Sequence, residues 1–298
     1  MVSKGMEFVL NILKENRAKA IKNRVEDGRA GLEELAKMVK VPKDVKCEPL
    51  DVAGIPAEWI SAPEAKDDNI IFYLHGGGYI SGSLNSHREL MSRISRAAKA
   101  RVLIIDYRLA PEHPFPAAIE DAYSAYRWLI EDQKVNPNNL IIAGDSAGGG
   151  LTLATLLNLR DKGIALPAAA VALSPWTDLG LTSESYKKKA RMDVTVPVDG
   201  LMFDSQLYLG ETDYTNPLAS PLYGNLKDLP PMLLMVGTAE ILLDDSVNFA
   251  KKAKEAGVEV ILDIWDDMPH AFPAYAAFAP EGQEAIEKIG EFMKKYFS

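Results

Sequence analysis

Short apolar runs at residues 70–74, 102–105, 140–143, 168–173, 232–236 and 258–264 constrain this chain more than any other feature. Each is short enough to read as a buried strand. Most are separated by helix-length segments. Strands alternating with helices specify an α/β fold, a doubly wound and mostly parallel sheet flanked by helices. Ahead of them, residues 46–50 and 56–61, joined through Ala53-Gly54, read as an antiparallel pair entering the same sheet. Residues 6–40 read as two amphipathic helices: Met6, Val9, Leu10 and Leu13 fall at helical spacing, and Leu32, Leu35, Met38 and Val39 repeat the pattern after Gly28 and Gly31.

A chain of 298 residues suits one large α/β domain. The alternation lapses between about 180 and 215, where polar and charged residues interrupt the strands, and this segment reads as an inserted cap. Its Lys187-Lys188-Lys189 reads as a solvated face, whereas its Phe203 and Tyr208 are candidates to cover a substrate pocket, with Trp176 at the end of the preceding strand. A formal charge of −9 argues against a nucleic-acid partner, which needs a surplus of Lys and Arg. Cys47 is the only cysteine, so no intrachain disulfide or cysteine-pair metal site can form, and no His-Glu-x-x-His is present. No metal or cofactor is expected. Charged residues interrupt every apolar run near the N-terminus, and no uncharged stretch is long enough for a membrane span, so a cytoplasmic location is expected.

The chemistry-bearing motif is Gly144-Asp145-Ser146-Ala147-Gly148, directly after a buried strand and before a helix-forming run. At such a junction the serine is held in a strained turn that lifts its hydroxyl clear of the sheet, and the flanking glycines let strand and helix approach. His75-Gly76-Gly77-Gly78 ends another strand; its glycine N–H groups, unobstructed by side chains, predict an oxyanion site formed by Gly76, Gly77 and the N–H of Ala147. A dinucleotide loop is excluded because residue 81 is serine where a third spaced glycine belongs. In this type of fold the chain order is nucleophile, acid, histidine. His75, His87 and His113 precede Ser146, which leaves His270 as the base. Glu240 follows the strand at 232–236 and is the favoured acid, with Asp244 and Asp245 as rivals at the start of the next helix. His75 is expected to brace the glycine loop, and Asp145, Arg108 and Glu112 to act as structural anchors.

Residues 75–78, the stretch from Asp106 to Ala117 reading Asp-Tyr-Arg-Leu-Ala-Pro-Glu-His-Pro-Phe-Pro-Ala, residues 144–149 and Met268-Pro269-His270-Ala271-Phe272 together resemble the hormone-sensitive-lipase-like carboxylesterases. The likeness spans residues 70–275. It implies an α/β-hydrolase core at 46–298, a helical arm at 1–45 that joins the insertion near 180–215 in a cap, and hydrolysis of short- to medium-chain acyl esters through an acyl-serine. It implies no cofactor, and a homodimer formed through an edge strand. The chain departs from the family at the acid, where Glu240 replaces an aspartate. An amidase or peptidase with the same triad remains an alternative, as does a non-catalytic small-molecule-binding protein like the gibberellin receptors, although those lack the histidine that stands here at position 270.

Overall fold

The computed structural model describes residues 2–17 and 23–298; the join between the two expected N-terminal helices, at 18–22, lies outside that description. The strands are β1 (Lys46–Val52), β2 (Ile55–Ser61), β3 (Lys66–Leu74), β4 (Ala100–Ile105), β5 (Leu140–Asp145), β6 (Ala169–Leu173), β7 (Met232–Gly237) and β8 (Val260–Trp265). The helices are α1 (Lys4–Arg17), α2 (Arg24–Lys37), α3 (Leu84–Ala98), α4 (Ala117–Glu131), α5 (Ala147–Asp161), α6 (Ser185–Lys188), α7 (Val198–Leu209), α8 (Leu243–Glu255) and α9 (Pro280–Tyr296). One eight-stranded sheet runs β1-β2-β4-β3-β5-β6-β7-β8, with β2 antiparallel to both of its neighbours, β1 and β4, and every other pairing parallel.

The apolar runs become strands because both sheet faces are covered. With side chains alternating across the pleat, Ile70, Phe72 and Leu74 enter one core with residues of α4, α5 and α8. Ile71 and Tyr73 enter the other, with α1, α3 and α9. Two boundaries differ from the sequence reading. β3 starts earlier, in polar sequence, because Lys66 pairs with Ala100 across an irregularity before Ile70. β8 starts later, because the Val258 N–H turns back to Ala253 O and closes the end of α8. β8 is an edge strand whose Ile261 and Ile264 are exposed.

The helices of the N-terminal arm have different neighbours. α1 buries Met6, Val9 and Leu13 in the second core, and Ser3 bonds Glu281 at the start of α9. α2 buries no residue fully. It is held instead by Arg24, which pairs with Asp204 of α7 at 2.7 Å, and by Arg29, which donates to Ile80 O at 2.8 Å and pairs with Glu112. Because β3, β5, β7 and β8 are parallel, the segments that follow them, carrying Gly76, Ser146, Glu240 and His270, all emerge at one edge of the sheet, where sites of this architecture form.

Candidate active site

Ser146 occupies the single residue between β5 and α5, at φ 55° and ψ −122°. A non-glycine residue held there costs about 1–3 kcal/mol, which the surroundings must offset. They do so with backbone bonds: Ser146 N–H donates to Leu173 O at 2.8 Å, and Ser146 O accepts from Trp176 N at 2.9 Å and Gly150 N at 3.0 Å. The glycines on either side are needed for close approach. A Cβ on Gly144 would stand 2.3 Å from Gly148 O, and one on Gly148 would stand 2.1 Å from Leu74 O. Both obstacles are backbone atoms that cannot swing aside. Gly148→Ala is therefore expected to lose about 2–3 kcal/mol of stability or more in urea unfolding, whereas Gly28→Ala in α2, where a Cβ would meet nothing within 4 Å, should be neutral or slightly stabilising.

The loops after β7 and β8 are laced together. Ala239 N–H donates to Met268 O, Asp267 N–H donates to the Thr238 hydroxyl, and Gly237 lies so close that a Cβ would meet Met268 O at 2.0 Å. This closeness brings the fully buried Glu240 to His270: Nδ1 of the imidazole and Oε2 of the carboxylate are 2.7 Å apart. The other oxygen, Oε1, accepts from Gly237 N–H and from the Ser174 hydroxyl, each at 2.7 Å. Ser174 in turn accepts from Ala271 N–H at 3.0 Å, so it bridges the acid and the histidine loop. Burial opposes protonation of His270, but the charge and hydrogen bond of Glu240, with the charges of Asp193 and Asp145, outweigh it, and its pKa lies above the usual histidine value.

The two rival acids are committed elsewhere. Asp244 accepts from Ser185 N–H, and the fully buried Asp245 accepts from the N–H groups of Thr177 and Asp178 and from the Tyr186 hydroxyl. Among the described residues, Ser146 Oγ makes no hydrogen bond, to His270 or to any other group. The bond from serine to histidine commonly tightens only when substrate is bound. Ser146 and His270 each keep a small accessible area, 9% and 5%, so neither is sealed off.

The glycine loop requires a correction. Gly76 N–H is committed to Asp145 Oδ1 at 3.1 Å, with His87 Nε2 at 3.3 Å, and cannot serve an oxyanion at the same time. Asp145 also accepts from the Tyr73 hydroxyl at 2.8 Å. Although burial disfavours its charge, His87 and the Tyr73 bond hold its pKa below the ordinary carboxylate range. Gly77 at φ 124° and Gly78 at φ 65° then turn the chain. Among the described residues no hydrogen bond engages the N–H groups of Gly77, Gly78 or Ala147. His75 braces the loop as expected: its Nδ1 bonds Gly76 O at 2.8 Å, its carbonyl accepts from the Tyr107 hydroxyl, and its ring stacks on Tyr107. Burial pushes its pKa down to about 3, so the brace is neutral.

A family model of the α/β-hydrolase fold matches residues 71–274. An acetyl-hydrolase of Streptomyces hygroscopicus is 44% identical over 243 residues, covering 82% of this chain and 81% of its own. An esterase of Acinetobacter venetianus is 37% identical over 265 residues, 89% of this chain and 87% of its own. The crystal structure of an esterase from the bacterial hormone-sensitive lipase family superposes with a TM-score of 0.97 at 46% identity, over 100% of both chains. The chain belongs to the hormone-sensitive-lipase family of α/β-hydrolases. It is a serine carboxylester hydrolase.

In this hydrolase two of the three predicted pocket residues gather beside the start of α5. Trp176 and Tyr208 are buried, and Tyr79 lies between them, stacked on Tyr208 with centroids 3.8 Å apart and tilted toward Trp176 at 6.1 Å. Trp176 is one hydrogen bond away from the backbone of Ser146. Phe203 stands apart from them: it is 40% exposed, off the buried stripe of α7 that Gly200, Leu201, Asp204, Ser205, Tyr208 and Leu209 form. A cavity of about 250 Å³ lined by Trp59, Asp67, Asp68 and Arg101 lies at the opposite end of the strands, away from all of these groups. Tyr79, Gly78 and Ser174 were not singled out from sequence. The first two continue the glycine run, and Ser174 follows β6 directly, so position at a strand end was the signal available.

Proposed function

We propose that the hydrolase cleaves short- to medium-chain acyl esters through an acyl-Ser146 intermediate, with His270 as general base, Glu240 as its orienting acid, and the N–H groups of Gly77, Gly78 and Ala147 as oxyanion donors. The observation that carries this reading is the 2.7 Å contact between His270 and a fully buried Glu240, on the same strand edge as a serine held at φ 55°. His270 removes the Ser146 proton as the hydroxyl oxygen bonds to the ester carbonyl carbon, and the carbonyl electron pair moves to oxygen. The N–H groups and the N-terminus of α5 stabilise that charge, where losing one donor costs about 10²–10³ in rate. The intermediate collapses, the alcohol leaves with the proton from His270, and water repeats the sequence to release the acid and restore Ser146. Glu240 stabilises the imidazolium and does not itself take the proton.

We further infer that α2, α6 and α7 form the cap, because the Arg24–Asp204 pair joins α2 to α7, and Asp204 packs against Gly78, where a Cβ would meet its carboxylate at 2.7 Å. The short acyl range rests on the close packing of Tyr79, Trp176 and Tyr208, on the relative named an acetyl-hydrolase, and on a solved relative, EstE5, whose crystal was soaked with p-nitrophenyl butyrate. A series of p-nitrophenyl esters from acetate to palmitate, run beside matched anilides, tests it. Specificity should peak among the short chains and fall steeply by palmitate. Rates undiminished at palmitate would remove the chain-length limit, and anilides cleaved as fast as esters would make the protein an amidase.

A further inference from the structure

Asp193 is a fully buried carboxylate in the insertion between α6 and α7, and the scheme above does not use it. Its Oδ1 accepts from the N–H groups of Thr195 and Val196 at 2.8 and 2.9 Å, which fixes its own turn. Its Oδ2 reaches out of that turn and accepts from Ile241 N–H at 2.9 Å. Ile241 directly follows Glu240. The carbonyl of Ile241 accepts the Ser185 hydroxyl at 2.6 Å, and Ser185 N–H donates to Asp244 Oδ2 at 2.8 Å. Both polar groups of residue 241 are thus held by the insertion. The carboxylate of Glu240 is anchored separately, by Gly237 and Ser174, within the core.

We propose that Asp193 is a positioning residue for the hydrolysis: with Ser185 it clamps Ile241, and through it holds Glu240 against His270, so that the insertion sets the geometry and the strength of the base. The proposal rests on reading Glu240 and His270 as acid and base. A buried anion with no cation beside it persists only when its oxygens are fully satisfied, and the backbone N–H groups supply that here. Among the described residues Asp193 forms no ion pair, so its field acts on the neighbouring imidazole without a local countercharge. The groups facing His270 are Glu240 after β7, Asp193 from the insertion and Asp145 at the end of β5, all carboxylates, and the buried Tyr275 faces the same three. Asp193 therefore contributes in two separable ways, by holding a peptide and by favouring the imidazolium.

Asp193→Asn keeps the shape, removes the charge, and turns an amide N–H₂ toward a backbone donor. With p-nitrophenyl acetate, kcat should fall about tenfold to a hundredfold at unchanged KM, and the acid limb of kcat/KM should move to lower pH. Ser185→Ala leaves the charge in place, so it should lower kcat without moving the limb. Wild-type kcat and limb in Asp193→Asn overturn the proposal. If that variant does not accumulate folded, Ser185→Ala decides: a fall in kcat at unchanged KM supports the clamp, and wild-type kcat overturns it. Glu240→Gln run in parallel separates the two readings. A crippled Glu240→Gln beside an unaffected Asp193→Asn removes the clamp alone, whereas a fully active Glu240→Gln removes the acid assignment.

Discussion

Ser146→Ala is expected to lower kcat on p-nitrophenyl acetate by about 10⁶-fold and to leave the fold intact. The hydroxyl makes no hydrogen bond among the described residues, so its removal strands no partner. Alanine would occupy the same φ 55° position under the same backbone bonds from Leu173, Trp176 and Gly150, so stability should change by less than about 1 kcal/mol. Activity should not vanish altogether, because the proposed oxyanion donors, Gly77, Gly78 and Ala147, and substrate binding would together still supply about 10³–10⁴ over water. A sharper form of the test is the double variant Ser146→Ala/His270→Ala. Residues that act as one unit are not additive, so the double variant should be no slower than the single one. Additive losses, or a Ser146→Ala enzyme with most of its activity, would mean that the nucleophile lies elsewhere.

The apolar runs of β3 to β7 were legible because they are buried on both faces, which makes hydrophobicity continuous and leaves little ambiguity between a strand and a wet surface. Ser146 was singled out for a different reason, the Gly144-x-Ser146-x-Gly148 spacing between a strand and a helix, and His270 because chain order eliminates every other histidine. What escaped was set by groups distant in sequence. The direction of the Gly76 N–H depends on Asp145 and His87, and on positive φ at Gly77 and Gly78, none of which a glycine run encodes. The buried stripe of α7 escaped as well, because it includes Asp204 and Ser205. Their burial is made tolerable by Arg24 and by Leu179 O, so the stripe is not read as apolar. Ser174 carries no motif at all, and only the meeting of β6, β7 and the histidine loop gives it partners.

Glu240→Gln should cost about 10⁴ in kcat, while Asp244→Asn stays within a few-fold of wild type. Glutamate is one methylene longer than the aspartate usual in the family, and here its carboxylate makes a 2.7 Å contact to His270, with the second oxygen tied to Ser174 and Gly237. Glutamine can still accept with one oxygen, but its amide nitrogen faces donors, and it carries no charge to stabilise the imidazolium that forms at each step. The pH profile distinguishes this from a general loss of structure. A base must be neutral to act, so activity falls as pH drops through the His270 pKa, which lies above the ordinary value of about 6.5. Without the Glu240 charge, burial is opposed only by Asp193 and Asp145, and the acid limb should move to lower pH. Stability follows the same sign. A histidine whose folded pKa is raised contributes stability that is complete below its unfolded value and is lost as pH rises through the folded one. The stability of the wild-type protein should therefore decline across that window by an amount that Glu240→Gln lacks, measurable by urea unfolding at pH values either side of it. Asp244→Asn should alter neither curve, because its carboxylate holds Ser185 and not the imidazole; the reverse ranking would move the acid to position 244.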